Sequence, residues 1–255
     1  MAQLMQRVMI VDPAPAAAKL LSELLRDISP CQIWTATDAS KAMQIASQID
    51  PHVVFVEQCP GLDGAALTSA LRRSDMSCRK APVIMVTSEA RASAIINARD
   101  SGVHEFLRKP YTIKDLVRRL EAVTLRQRDW VEAVAYVGPD RRRFNSGDYA
   151  GPLKRRMDHA ETPNAARIVQ ALKIVRSAVT SVEIDPHQVL RALKAQAIDL
   201  QVAAVAVSNL KLRSAAVSLA QSLAGMTALT MNRAVLEKHV TELWAHMPDG
   251  EGMAA

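Results

Sequence analysis

Residues 50–64 read DPHVVFVEQCPGLDG. Within them Val53–Glu57 is apolar up to a terminal carboxylate, and turn formers flank it, Asp50-Pro51 before and Pro60-Gly61 after. A run this short, rich in β-branched and aromatic residues and without polar alternation, predicts a strand buried on both faces. The same pattern recurs at Arg7–Val11 (RVMIV), Ile33–Ala36 (IWTA), Val83–Thr87 (VIMVT) and Glu105–Arg108 (EFLR). Between these runs lie helix-period stretches, Ala14–Leu25, Ala39–Gln48, Ala65–Arg72, Ala92–Asp100 and Thr112–Thr124, with Asp38 and Thr112 placed as N-caps. Strands alternating with helices over residues 1–124 predict an α/β domain whose parallel sheet is covered on both faces. Chemistry in such sheets collects at the carboxyl ends of the strands. That edge singles out Asp12, Pro13, Glu57, Thr87 and Lys109.

The rest of the chain has a different grammar. Residues 160–255 are about one-fifth alanine, and no Gly or Pro falls between His187 and Ala224. Four helices are expected, at about 164–182, 187–208, 210–223 and 230–246. Asp185-Pro186 opens the second, Asn209 separates the second from the third, and Gly225 ends the third. Ile168, Leu172, Val175 and Val179 share one helical face, as do Val189, Leu193, Ala197 and Leu200. An all-α bundle serving output or oligomerisation is the expectation for 160–255; beside a plain bundle, its small alanine contacts and broad apolar surface also suit a dimer or a partner groove.

The 255 residues carry 32 Lys+Arg against 26 Asp+Glu, a net +6. Half of that excess lies in residues 125–159, with Trp130, Tyr136, Phe144 and Tyr149, four of the chain's nine aromatics. The segment, LRQRDWVEAVAYVGPDRRRFNSGDYAGPLKRRMDH, is broken by Gly138-Pro139 and Gly151-Pro152 and reads as an extended basic arm. Three cysteines at irregular spacing fit a reducing compartment better than a disulfide framework or a metal site. No charged flank precedes a long apolar run at the N-terminus, and no apolar stretch approaches a membrane span. A cytoplasmic protein without membrane insertion is the expectation.

IVDP at 10–13, DPHVVFVEQCPGLDG at 50–64, VIMVTS at 83–88 and FLRKP at 106–110 together resemble the receiver (CheY-like) domain of two-component response regulators. The resemblance covers about residues 6–124 and implies the flavodoxin-like strand order 2-1-3-4-5. It also implies a chemistry. In receivers, two acidic residues after the first strand and an aspartate ending the third hold Mg²⁺, and that aspartate accepts a phosphoryl group. A hydroxyl after the fourth strand and a lysine after the fifth bind the phosphoryl oxygens. Asp12, Thr87 and Lys109 match, and Phe106 stands where the switch would couple to the face of the fourth and fifth helices. Two positions depart. Pro13 replaces the second acid, and Glu57 stands at the phospho-acceptor position when counted from Pro51, while a count back from Pro60 gives Val56. Neither count supplies an aspartate. A degenerate receiver is expected, without aspartyl phosphorylation and without Mg²⁺, in which Glu57 pairs with Lys109.

Three readings compete for the arm, whose sequence also resembles tails of alphaproteobacterial receiver-type proteins. Trp130, Tyr136 and Tyr149 would anchor it on a domain while Arg141–Arg143 and Lys154–Arg156 stay solvated. Alternatively, its arginines would bind an anionic nucleotide. Arg126-Gln127-Arg128-Asp129 and Arg72-Arg73-Ser74-Asp75 both satisfy the short RxxD pattern of cyclic-di-GMP sites, which names Arg126, Asp129 and Arg141, Arg142 and Arg143. The third reading is nucleic acid, against which the mild whole-chain charge argues. His159, His187, His239 and His246 lack the Lys-Gly pair of phosphotransfer bundles, and no phosphate loop or nucleophile elbow is present. The function expected is therefore a non-enzymatic response regulator acting through a kinase or output partner. A cyclic-di-GMP effector is the alternative, and a DNA-binding regulator the third.

Overall fold

Side chains on successive strand residues point to opposite faces of a sheet, so a strand covered on both sides must be apolar at every position. Val53–Glu57 (β3) and Val83–Thr87 (β4) are buried along their whole length, and they occupy the middle of the sheet. The computed structural model describes residues 5–89, 91–126, 128–141 and 163–247. Its main sheet also contains Arg7–Val11 (β1), Gln32–Ala36 (β2) and Glu105–Arg108 (β5), all parallel, in the order β2-β1-β3-β4-β5. Strands and order agree with the sequence expectation, β2 gaining Gln32 at its start.

Five helices cover the sheet: Pro15–Ile28 (α1), Ala39–Ile49 (α2), Gly64–Arg73 (α3), Ala92–Asp100 (α4) and Ile113–Thr124 (α5). On one face Val8, Ile10, Val53, Phe55, Ile84, Val86 and Leu107 pack with Leu21 and Leu25 of α1 and Leu116 and Leu120 of α5. On the other, Met9, Val11, Val54, Val56, Met85 and Phe106 pack with α2, α3 and α4. Helix starts follow side-chain chemistry. Asp38 accepts from the Lys41 N–H, and Thr112 forms a reciprocal capping box with Asp115. Strand order reverses between β1 and β3, which opens a crevice at their carboxyl ends.

The stretch expected as an extended arm is not extended throughout. Trp130–Glu132 (β6) and Val137–Pro139 (β7) form a two-stranded ribbon, and the rest of the segment, from Arg142 on, lies outside the described residues. Trp130 sits on the cations of Arg72, Arg79 and Lys80, and Tyr136 is buried with its hydroxyl donating to the Pro139 carbonyl at 2.6 Å. The chain divides into two units, one built on residues up to Val131 together with the segment from Tyr136, the other on Glu132–Ala135 and the later helices.

The second unit is all-α. Pro163–Val179 (α6), Pro186–Ala206 (α7), Leu210–Ala224 (α8) and Arg233–Trp244 (α9) enclose one core. Helix α7 packs on α6 and α8, and α9 on α6 and α8. Asp185, Asn209 and Asn232 cap α7, α8 and α9 through side-chain acceptors. Ala192, Ala197, Ala203, Ala204 and Ala216 are buried between helices, where their small side chains allow close approach. Glu132 and Gln188 are buried together, and the Gln188 amide donates to the Glu132 carboxylate at 2.9 Å. Helix α6 stops before residue 182 and α9 starts after residue 230, because hydrogen-bonded turns at Ser181–Asp185 and Thr227–Thr230 occupy the ends.

Candidate functional site

The crevice is built by strand ends. Asp12 directly follows β1, Glu57 ends β3, Thr87 ends β4 and Lys109 follows β5. The Lys109 ammonium lies 2.6 Å from Glu57 Oε2 and 3.4 Å from Asp12 Oδ2, so one cation serves two carboxylates. Both acids are buried, Glu57 at 5% exposure, while Lys109 is half-buried. Val56 packs in the core on one face of the sheet, and Glu57, the next residue, meets Lys109. The second Asp12 oxygen accepts from the Ala14 N–H at 2.8 Å and fixes the start of α1.

Burial pushes the Glu57 carboxyl above its ordinary range, Lys109 pulls it back, and the Asp12 charge adds to the rise. For Lys109, burial alone would lower the ammonium. The hydrogen bond and charge of Glu57, with Asp12, outweigh that and raise it. In this set the lysine offsets one of two carboxylate charges that would otherwise repel each other unscreened. A divalent cation fits this donor set poorly. Pro13 contributes no side-chain oxygen, and the two carboxylates present already share an ammonium.

Thr87 is likewise engaged. Its hydroxyl donates to the Gln58 carbonyl at 2.9 Å and accepts from the Glu89 N–H at 3.1 Å. The Gln58 side chain accepts from the Ala65 N–H at the start of α3, so the loop after β3 is tied at both ends. Phe106 is buried with Ala98 and Val103.

Of the residues named for an anionic nucleotide, Arg126, Asp129 and Arg141 lie within the described residues, and the Asp140 N–H donates to the Asp129 carbonyl at 2.8 Å, which sets Arg141 beside the start of β6. Arg126 and Asp129 are exposed. Arg141 stacks on Tyr136 at 4.4 Å and pairs with Asp100 at 2.7 Å. Arg142 and Arg143 lie outside the described residues. The RxxD match at Arg72 is overturned by burial: Arg72 is wholly inaccessible. Its guanidinium donates to the carbonyls of Gly102 (3.0 Å), Arg79 (2.6 Å) and Ala81 (2.8 Å), and lies 3.1 Å from His104 Nδ1. Burial lowers its pKa to about 9, which leaves it charged at neutral pH. Its signal was present in the sequence: with Ala65 and Thr68 it falls on the inner face of α3, at helical spacing.

A further buried carboxylate carries no motif in the sequence. Glu105, at the start of β5, is paired with Arg119 at 3.0 Å and with Arg128. Arg128 belongs to the other RxxD match, so that match too is partly committed to structure.

Comparison with known proteins follows this geometry. Residues 8–121 match the family described as the response regulator receiver domain. A DNA-binding dual master transcriptional regulator, RpaA of Synechocystis, is 29% identical over 132 residues, covering 51% of this chain and 54% of RpaA. The chain thus spans about half of that relative's length. Chemotaxis protein CheY-3 of Vibrio cholerae is 29% identical over 118 residues, covering 46% of this chain and 90% of CheY-3. A probable chemotaxis protein CheY of Rhizobium etli is 30% identical over 118 residues, covering 46% of this chain and 91% of its own length. The solved structure of V. cholerae CheY4 aligns at a TM-score of 0.43 and 23% identity, over 47% of this chain and 98% of that one.

Proposed function

The chain belongs to the response regulator receiver family through residues 8–121, and from that premise we propose that it is a signalling protein whose receiver works without aspartyl phosphorylation. One observation carries the reading: the ammonium of Lys109 sits 2.6 Å from Glu57 and 3.4 Å from Asp12, with proline at position 13. Phosphoryl transfer needs a carboxylate poised for in-line attack and a cation that offsets charge on the phosphoryl oxygens. Glutamate carries its carboxylate one methylene further out, and misplacement by ~1 Å costs roughly a hundredfold in rate. Lys109 occupies the crevice instead and offsets part of its carboxylate charge, so the receiver rests in one state and acts by presenting surfaces to a protein partner. No chemical step is assigned to it.

Incubation with Mg²⁺ and acetyl phosphate, read by intact mass, tests this. The wild type is expected to stay unlabelled, and the double variant Pro13→Asp/Glu57→Asp to acquire one phosphoryl group. Stoichiometric acyl phosphate on the wild type would overturn the proposal. A second reading, cyclic-di-GMP binding, draws support from the exposure of Arg126 and Asp129. Saturable heat on titration with that dinucleotide, lost in Arg126→Ala, would move the function there.

A further inference from the structure

In a parallel pair, alternate residues of a strand turn both main-chain groups to the neighbour, and the residues between turn theirs away. Strand β2 lies at an edge of the main sheet, paired with β1 on one side. The Gln32 N–H donates to the Gln6 carbonyl at 2.8 Å, and the Ala36 carbonyl accepts from the Asp12 N–H at 3.0 Å. Gln32, Trp34 and Ala36 are therefore the residues bonded to β1. The N–H and C=O of Ile33 and Thr35 face outward, where no hydrogen bond from another described residue meets them. Beside this edge runs a groove of about 300 Å³ between β2 and α1. Ile33, Thr35 and Thr37 line it from the strand, and Lys19 and Arg26, both exposed, from the helix. Asp12, at its end, already serves Lys109 and the Ala14 N–H. On the opposite face of the strand stands Trp34, half-buried.

We propose that this edge and groove are the docking site for an extended acidic segment of a partner protein, which adds to the sheet as a new strand beside β2. The site rests on the reading that the receiver acts by presenting surfaces to a protein, and it names the surface and the chemistry that meets it. Main-chain donors and acceptors unpaired in a row are matched by another backbone in the β conformation, whose hydrogen bonds hold it while alternate side chains select it. The outward groups recur every second residue, about 6.6 Å apart, which is the repeat of a strand. Charge selects the sign. Lys19 and Arg26 lie about 10 Å apart along α1, within reach of one added strand of about five residues. Glu23, 4.0 Å from Lys19, forms an exposed pair of the kind that holds a lysine only loosely. Side chains of the added strand alternate, so acids toward α1 imply apolar residues on the other face, where Trp34 offers its ring. Two other occupants have the wrong charge. A second copy paired edge to edge would set the cations of both α1 helices on one face of the joined sheet. The chain's own segment 142–158 is basic, with Arg142, Arg143 and Lys154–Arg156.

Panning a displayed library of random peptides about eight residues long against the intact chain, with no phosphate donor present, tests this. It is expected to enrich alternating acidic and apolar residues. A synthetic peptide of the enriched pattern is then titrated by fluorescence polarisation. Thr35→Pro removes an outward N–H that β1 does not use and should weaken binding roughly tenfold, whereas Thr35→Val, which keeps the N–H, should bind as the wild type does. Lys19→Glu/Arg26→Glu, on the exposed side of α1, should abolish binding with circular dichroism unchanged. The peptide itself supplies a test that leaves the protein untouched. N-methylated at alternate amides, it should lose binding in one phase of methylation and keep it in the other, because only one set of amides faces β2. Failure to enrich any peptide, or an enriched set without acids, would overturn the proposal. So would binding indifferent to the phase of methylation, which would mark the groove as a plain cationic patch. Acyl phosphate on the wild type with peptide binding intact would sink the unphosphorylated reading and leave this site in place.

Discussion

Protonating His104 would remove two hydrogen bonds at once. Its Nδ1 receives the Val83 N–H at 3.3 Å and lies 3.1 Å from the Arg72 guanidinium, and an imidazolium has no acceptor at that nitrogen. Burial, and then the charges of Arg72 and Arg128, hold its pKa well below 6.5. Folded His104 therefore binds a proton less readily than the unfolded chain does, so its stabilising contribution is complete above pH 6.5 and is lost as pH falls below it. The expected loss is about 1.4 kcal/mol per pH unit below that point. Urea unfolding at a series of pH values, followed by Trp34 and Trp130 emission, measures it, and His104→Gln should flatten the slope. Residues such as Asp12 and Lys109 were legible in the sequence because strand-end motifs place them. Helical spacing made the inward position of Arg72 legible, but its partners and those of His104 were not, because they lie 7 to 32 residues away in the chain.

Elements were legible in proportion to their length and burial. The central strands declare themselves by unbroken apolar runs, and α2 and α5 by caps at Asp38 and Thr112. The ribbon escaped because each strand is three residues long and one reads Val-Gly-Pro, a pattern of turn formers. What fixes it is a close backbone approach. Gly102 has φ +93°, and a Cβ there would fall 2.5 Å from the Val137 carbonyl and 3.0 Å from the Arg72 side chain. Gly61, at φ +99°, has open space around the same atom. Gly61→Ala is therefore expected to cost only the dihedral penalty of about 1–2 kcal/mol. Gly102→Ala should cost more than that and also displace β7. Comparative denaturation of the two variants, with Trp130 emission as a local probe, separates the contributions.

At the scale of the whole chain, two sets of cores are separate. The sheet is covered by one pair of apolar clusters in the first unit, and the helices enclose another in the second. No helix among the described residues is long and apolar enough to cross a membrane. A chain with separate cores is not expected to unfold in one two-state step. In a Trp244→Phe variant the remaining tryptophans report the first unit alone, while far-ultraviolet circular dichroism weights the helices. The two probes are expected to give different midpoints, and lowering the pH from about 7.5 to about 5.5 should lower the tryptophan midpoint. The charge excess read at first as a property of an arm is distributed differently. Part of it, Arg128 and Arg141, is spent on Glu105 and Asp100 as structural pairing.

The ion pair at the strand ends has a consequence for control. A metal ion or a phosphoryl group comes and goes at a concentration that a cell can vary, and a chelator or a phosphatase can take it away. Lys109 is a ligand tethered to its own receptor. Its effective concentration at Glu57 and Asp12 is set by covalent geometry, unaffected by dilution, dialysis or hydrolysis.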